Sequence, residues 1–236
     1  GIYAPPQLGG DPKCAIFLLP GPPRELYPMF HDEVVPRLKA LAGVDEIDHV
    51  QELKFVGIGE SDFHDQLDDE LANIDGLEVG YCARLGEVDL RLIGSDAAIA
   101  QGRILTVSKF KEFLISDDGA NLESVVVREL IKLGKTVTTA ESCTGGLVAS
   151  RLTDVSGSSS VFTHGFVSYS NKAKAQLIGV SKSTLAAHGA VSEEVASEMA
   201  MGARLTSSSD YSISITGIAG PTGGTKDKPV GTVCFG

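Results

Sequence analysis

The chain has 236 residues, a net charge of −11 and 42% hydrophobic residues, enough for a sizeable core in one large or two to three smaller domains. So acidic a balance argues against broad binding to nucleic acid or anionic membranes, where Lys and Arg must meet phosphates. No apolar run approaches the roughly 20 residues of a membrane span, and four scattered cysteines, with no C-x-x-C pair, suit neither a zinc ribbon nor a disulfide framework. A soluble, cytoplasmic protein with reduced cysteines is expected.

In chain order, the first element is a short buried strand in "AIFLL" from Ala15, followed by the stiff turn "PGPP". A helix follows, with Leu26, Met29, Phe30, Val34 and Leu38 at helical spacing. Pro23 and Pro28 limit where it can begin. From residue 45 the character changes. "VQELKFVGIG" reads as a strand, and Phe63, Leu67, Leu71 and Ile74 form one helical stripe whose acidic neighbours face solvent. "LEVGYCARLGEVDLRLIGS" reads as a hairpin turning at Leu85-Gly86-Glu87. "AAIAQGRILTVSKFKEFLI" reads as one helix. "SDDGANLESV" is a linker in which Asn121 or Asp118 caps the next helix.

From residue 121 helices and strands alternate: helix "LESVVVRELIKLG" stopping at Gly134, strand "KTVTTAE", helix "GGLVASRLTDV", strand "VFTHGFVSYS", short helices "NKAKAQLIG" and "SKSTLAAHG", a helix opening at Ser192, strand "DYSISITG", a Gly-rich loop, and strand "GTVCFG". Alternation of this kind predicts a three-layer α/β domain.

Three stretches are suited to chemistry. In "AESCTGG", Ser142 stands at a strand-to-helix turn, where it either caps a helix or attacks a substrate with nearby amides stabilising an oxyanion. It is not a G-x-S-x-G elbow. In "GFVSYSNKAKAQLIG", a lysine near a serine can serve as base once desolvation lowers its pKa, while Lys172 and Lys174 read equally as exposed helix lysines. In "SITGIAGPTGGTKDKPVGTV", a Gly-rich loop follows Thr216; its amides can face an anion, or it is a plain surface loop. It is neither Walker A nor G-x-G-x-x-G. The histidines form no closely spaced ligand pair, so no metal site is indicated.

Taken together and in order, "TVTTAESCTGG", "GFVSYSNKAKAQLIGV", "HGAVSEEVA", "ITGIAGPTGG" and "KPVGTV" resemble the C-terminal domain of the CinA family, the nicotinamide mononucleotide deamidase also called PncC. "LLPGPPRELYPMF" resembles the end of the MoaB/MogA-like domain of those proteins, and "LKFVGIGESDFHDQL" with "EVDLRLIG" their KH-like middle domain. The resemblance divides the chain into residues 1–44, the C-terminal part of the MoaB/MogA-like domain; 45–117, the small α+β KH-like domain; and 118–236, the amidase domain, which the family continues by a further strand and helix.

What the resemblance implies is hydrolysis of nicotinamide mononucleotide to nicotinate mononucleotide and ammonia. Ser142 would be the nucleophile and Lys174 its base. Tyr169 would assist proton transfer or orient the ring, and Thr216 would support catalysis. Glu141, Thr144, Gly145, Gly146, Asn171 and the segment Gly217, Ile218, Ala219 and Gly220 would bind substrate, with the amides of either loop holding the oxyanion or the phosphate. The substrate is a small nucleotide, no cofactor is needed for this step, and a homodimer is expected. The N-terminal domain of the intact protein carries ADP-ribose pyrophosphatase activity with a divalent metal in the family, which gives a second reading; a non-catalytic nucleotide-binding regulatory module is a third.

Overall fold

A computed structural model describes residues 1–5, 15–43, 49–84 and 86–236. The expected boundary at residues 44 and 45, and Leu85 of the hairpin turn, lie outside the described residues.

The N-terminal stretch pairs β1 (Ile2–Ala4) with β2 (Ile16–Leu18) antiparallel. The expectation of a buried strand needs correction: Ile16 and Leu18 are exposed. Helix α1 (Pro23–Met29) passes through one wider turn, Phe30–Val34, into α2 (Val35–Ala42). Pro28 sits inside α1, where its missing N–H removes a backbone bond.

The middle of the chain is an antiparallel sheet of order β4-β5-β3-β6, built from β3 (His49–Val56), β4 (Leu77–Arg84), β5 (Glu87–Gly94) and β6 (Leu114–Ser116). Period-two alternation puts Leu53 and Phe55 of β3 and Val88, Leu90 and Leu92 of β5 on one face. They meet Phe63, Leu67 and Leu71 of α3 (Glu60–Leu71) and Ile99 and Phe110 of α4 (Asp96–Phe110). Each such buried side chain contributes about 1.5–3 kcal/mol. The helix expected to run on to Ile115 ends at Phe110, because Leu114 and Ser116 join β6 and pair with Phe55 and Lys54 of β3. Asn121, not Asp118, caps the next helix by accepting the N–H of Ser124; Asp118 instead takes the Ser116 hydroxyl and the Arg128 guanidinium.

The last part has the sheet order β10-β9-β7-β8. β7 (Val137–Glu141) lies between β8 (Phe162–Val167) and β9 (Tyr211–Gly217), parallel to both, and β10 (Val233–Phe235) closes the edge antiparallel to β9. All five residues of β7 are buried, as expected of a parallel strand covered on both faces. One face packs α5 (Leu122–Leu133) and α6 (Leu147–Thr153) through Val127, Leu130, Val137, Leu152 and Val161. The other packs α7 (Asn171–Ile178), α8 (Lys182–His188) and α9 (Glu193–Ser207) through Ala140, Ile178, Val180, Val195, Met199 and Ala203. This is the expected three-layer α/β arrangement. Among the described residues, no helix is long and apolar enough to cross a membrane.

Candidate active site

The carboxyl ends of three parallel strands meet at one edge of the sheet: Glu141 of β7, Val167 of β8 and Gly217 of β9. In open α/β sheets that edge is where ligands bind, and the chemistry-bearing residues of this chain gather there.

Ser142 follows β7 directly. Its N–H donates to Ile215 O at 2.9 Å, continuing the β7–β9 ladder for one residue, and its carbonyl accepts from Gly145 N at 3.1 Å. The turn that results needs left-handed backbone at Gly145 and Gly146, φ +61° and +103°, which glycine adopts without a Cβ penalty. Of the two readings open for Ser142, the helix cap is wrong. The N-cap of α6 is Gly146, four residues on, and it makes no side-chain cap. The Ser142 hydroxyl is instead 2.8 Å from Lys174 Nζ, thirty-two residues away along the chain.

Lys174 arrives from α7, whose start is fixed by Ser170 Oγ accepting the Ala173 N–H at 3.1 Å. One turn into that helix, the Lys174 side chain points inward and is 0% exposed. Its Nζ also donates to the backbone carbonyl of Ser168 at 2.9 Å. It forms no ion pair with a carboxylate among the described residues. Burial without a counter-charge disfavours the ammonium form, and the Lys174 pKa lies below the ordinary lysine value, with nearby Cys143 acting in the opposite direction. An amine that loses its proton more readily, placed against a serine hydroxyl, is the arrangement of a general base and its nucleophile.

The structure assigns Glu141 differently from the sequence reading. It is almost fully buried. Its carboxylate accepts the N–H groups of Gly146, Val148 and Ala149 at 3.0, 3.1 and 2.8 Å. Burial alone would raise its pKa, but these N–H donors outweigh it and the pKa is lowered. Glu141 therefore does the capping expected of Ser142, with both oxygens accepting hydrogen bonds from the start of α6. The same bonds correct a second expectation: the Gly145 and Gly146 amides are already used. The Cys143 and Thr144 N–H groups have no hydrogen-bond partner among the described residues.

The remaining expected residues divide. Thr216 is buried at the end of β9 and its hydroxyl donates to Ala190 O at 2.8 Å, not to Ser142. Gly217 borders the turn after β7 so closely that a Cβ there would stand 2.9 Å from Cys143 Sγ. Ile218 N–H is taken by Thr232 O, whereas the Ala219 and Gly220 amides have no partner among the described residues. The loop they begin is anchored by Lys228 Nζ, which donates to His188 O and Val191 O at 2.9 and 2.6 Å. Tyr169 does not join the pair: it is 70% exposed and has no hydrogen bond to Ser142 or Lys174. Asn171 and Lys172 lie exposed on the first turn of α7. Sequence reasoning missed Ser168, because its part is played by a backbone carbonyl, and Lys228, which carries no motif. Among the described residues, no group of three or more His, Cys, Asp or Glu could hold a metal ion.

A model of the CinA C-terminal domain matches residues 119–236, and one of the damage-inducible protein CinA KH domain matches residues 50–112. The chain belongs to the CinA family. It is 49% identical to a CinA-like protein of Akkermansia muciniphila, over 92% of this chain and 52% of that protein. It is also 49% identical to a putative competence-damage inducible protein of Symbiobacterium thermophilum, over 97% and 56%. The chain thus spans about half the length of the curated CinA relatives it matches. A solved structure, the competence/damage inducible protein CihA from Agrobacterium tumefaciens, is 48% identical over 48% of this chain and 68% of that one, with a TM-score of 0.47.

Proposed function

We propose that this CinA-family chain is an amidohydrolase that converts nicotinamide mononucleotide and water to nicotinate mononucleotide and ammonia. The observation that carries the reading is the 2.8 Å approach to the Ser142 hydroxyl of a buried lysine that has no carboxylate partner among the described residues. In this reading Ser142 Oγ attacks the carboxamide carbon while its proton passes to neutral Lys174 Nζ. The free amides of Cys143 and Thr144 are the donors left in that turn for the oxyanion. As the intermediate collapses the C–N bond breaks, and Lys174 returns the proton to the departing ammonia. Water, losing a proton to Lys174, then hydrolyses the acyl-serine and frees the carboxylate product. The Ala219 and Gly220 amides, unpaired among the described residues and on a loop fixed by Lys228, suit the phosphate end.

The step uses no metal or organic cofactor. A homodimer, the assignment of residues 1–44 to a MoaB/MogA-like domain, and boundaries at residues 44/45 and 117/118 belong to the same reading, as does a cytoplasmic location. The test is ammonia release from nicotinamide mononucleotide without added metal. The wild-type chain should turn over, and Ser142→Ala should lose on the order of 10⁶-fold in kcat, the scale seen when a nucleophilic serine is removed. A folded Ser142→Ala variant that kept wild-type turnover would sink the reading.

A further inference from the structure

Glu141 is a buried acid that the reaction above does not use. Its carboxylate satisfies three N–H groups at the start of α6, donors a helix leaves orphaned. The N-cap residue, Gly146, has no side chain to do so. Glu141 is also the residue directly before Ser142, and its own carbonyl accepts the Ser168 N–H at 2.8 Å. Its backbone thus belongs to the sheet and its side chain to the helix. Between these two anchors lie Ser142, Cys143, Thr144 and the two left-handed glycines, a stretch with little intrinsic rigidity.

We infer that Glu141 is the positioning residue of Ser142, clamping α6 to β7 so that the intervening turn holds the hydroxyl within reach of Lys174. The inference rests on the Ser142 reading given above. It carries a corollary. The positive end of α6 is neutralised by a carboxylate of the protein, so the anionic groups of a substrate are held elsewhere.

The test compares wild type, Glu141→Gln and Glu141→Asp as full chains. A fluorophosphonate probe reports the labelling rate of Ser142 by peptide mass, independently of the natural substrate; ammonia release gives kcat and KM; thermal melting reports folding. Gln keeps the shape but presents an NH2 where two oxygens now accept, and Asp keeps the charge but is one methylene short. Both should label at least tenfold more slowly and lose at least tenfold in kcat, with KM within about twofold, as expected of a misplaced reacting group. The pH dependence of the residual activity should stay in place, because Glu141 is not among the charges acting on Lys174. If Glu141→Gln does not fold, Glu141→Asp decides.

Labelling within twofold of wild type in the folded variants overturns the inference. So does a raised KM with kcat retained, which would mean the carboxylate or its amides meet substrate, and so does a shifted pH profile. If wild-type Ser142 labels but nicotinamide mononucleotide is inert, slowed labelling still supports the positioning role while the substrate reading fails. A wild-type Ser142 that does not label overturns both.

Discussion

The Ser168 N–H donates to the Glu141 carbonyl at 2.8 Å, and that bond joins the two halves of the site. Ser168 holds Lys174 Nζ through its own carbonyl, and Glu141 precedes the serine that Lys174 Nζ touches. The path from Glu141 through Ser168 and Lys174 to Ser142 closes on itself. Ser142 and Lys174, the proposed nucleophile and base, are therefore set by a single piece of the parallel sheet, where β7 and β8 end together.

Lys174→Met should separate stability from activity. Methionine keeps an unbranched stem of similar length and removes an amine that is buried without a counter-charge. Each unit by which burial lowers a lysine pKa corresponds to about 1.4 kcal/mol at neutral pH, so the variant should melt at or above the wild-type temperature. Ammonia release should fall about 10²–10⁴-fold, the usual contribution of a general base. A variant that melts well below wild type would show that the Ser142 and Ser168 bonds outweigh the desolvation.

The lowered Lys174 pKa also fixes the sign of two pH effects. As a base the amine must be neutral, so activity should fall as pH drops through the folded-state pKa. For stability, the unfolded lysine binds its proton below its ordinary value of 10.5, while the folded one resists until the pH is lower. Between those two pH values the unfolded state carries more protons, so stability should rise with pH across that window. Chemical denaturation of wild type and Lys174→Met at several pH values checks this; equal slopes would remove Lys174 as the source.

Much of this was legible in the chain. Period-two alternation in β3 and β5 and the i, i+4 stripe of Phe63, Leu67 and Leu71 identify the middle sheet and its helix. The pairing of Ser142 with Lys174, which no local spacing would connect, came only as an implication of the resemblance to the CinA family. Other features were not legible, for physical reasons. The Glu141 carboxylate reaches five to eight residues forward, beyond the three-residue pattern of ordinary caps, so an acid beside a serine reads as a substrate contact. Ser168 acts through a carbonyl, which every residue has. Tyr169 lies past the end of β8, where strand alternation no longer says which way a side chain points. The end of α4 at Phe110 depends on β3 offering Leu114 a partner, a contact across some sixty residues.

Tyr169→Phe should leave turnover nearly intact. The Tyr169 phenol is largely solvent-exposed and bonds to neither Ser142 nor Lys174, so it is not placed to relay their proton. The expected change in kcat is under about threefold, well short of the 10²-fold or more of a proton-transfer group. A loss on that larger scale, measured by ammonia release at saturating substrate, would mean that substrate draws the ring into the site.

Thr139→Val should stabilise the protein. Thr139 lies wholly buried in the middle of β7, and its Oγ1 has no hydrogen-bond partner among the described residues. An unsatisfied buried hydroxyl costs about 1–3 kcal/mol, and its replacement by a methyl group of the same shape removes that cost. Valine keeps the branched Cβ that suits a strand. The midpoint of denaturant unfolding should rise, with an unchanged slope. A fall would mean that the hydroxyl finds a partner in solution.

Gly202→Ala should act in the opposite sense and reach the site indirectly. In α9, Gly202 lies where α7 crosses so closely that an added Cβ would come within 1.7 Å of the Ile178 carbonyl oxygen. That carbonyl belongs to the last turn of α7, one turn beyond Lys174. Backbone cannot yield as a flexible side chain can, so α7 must move away. Overpacking of this kind destabilises by about 1–3 kcal/mol. Because α7 carries Lys174 while Ser142 directly follows β7, the displacement should lengthen the Lys174–Ser142 approach. Activity at a temperature where the variant remains folded should fall by more than the folded fraction does. If the two fall together, α7 moves as a rigid unit with the sheet, and the site does not register the strain.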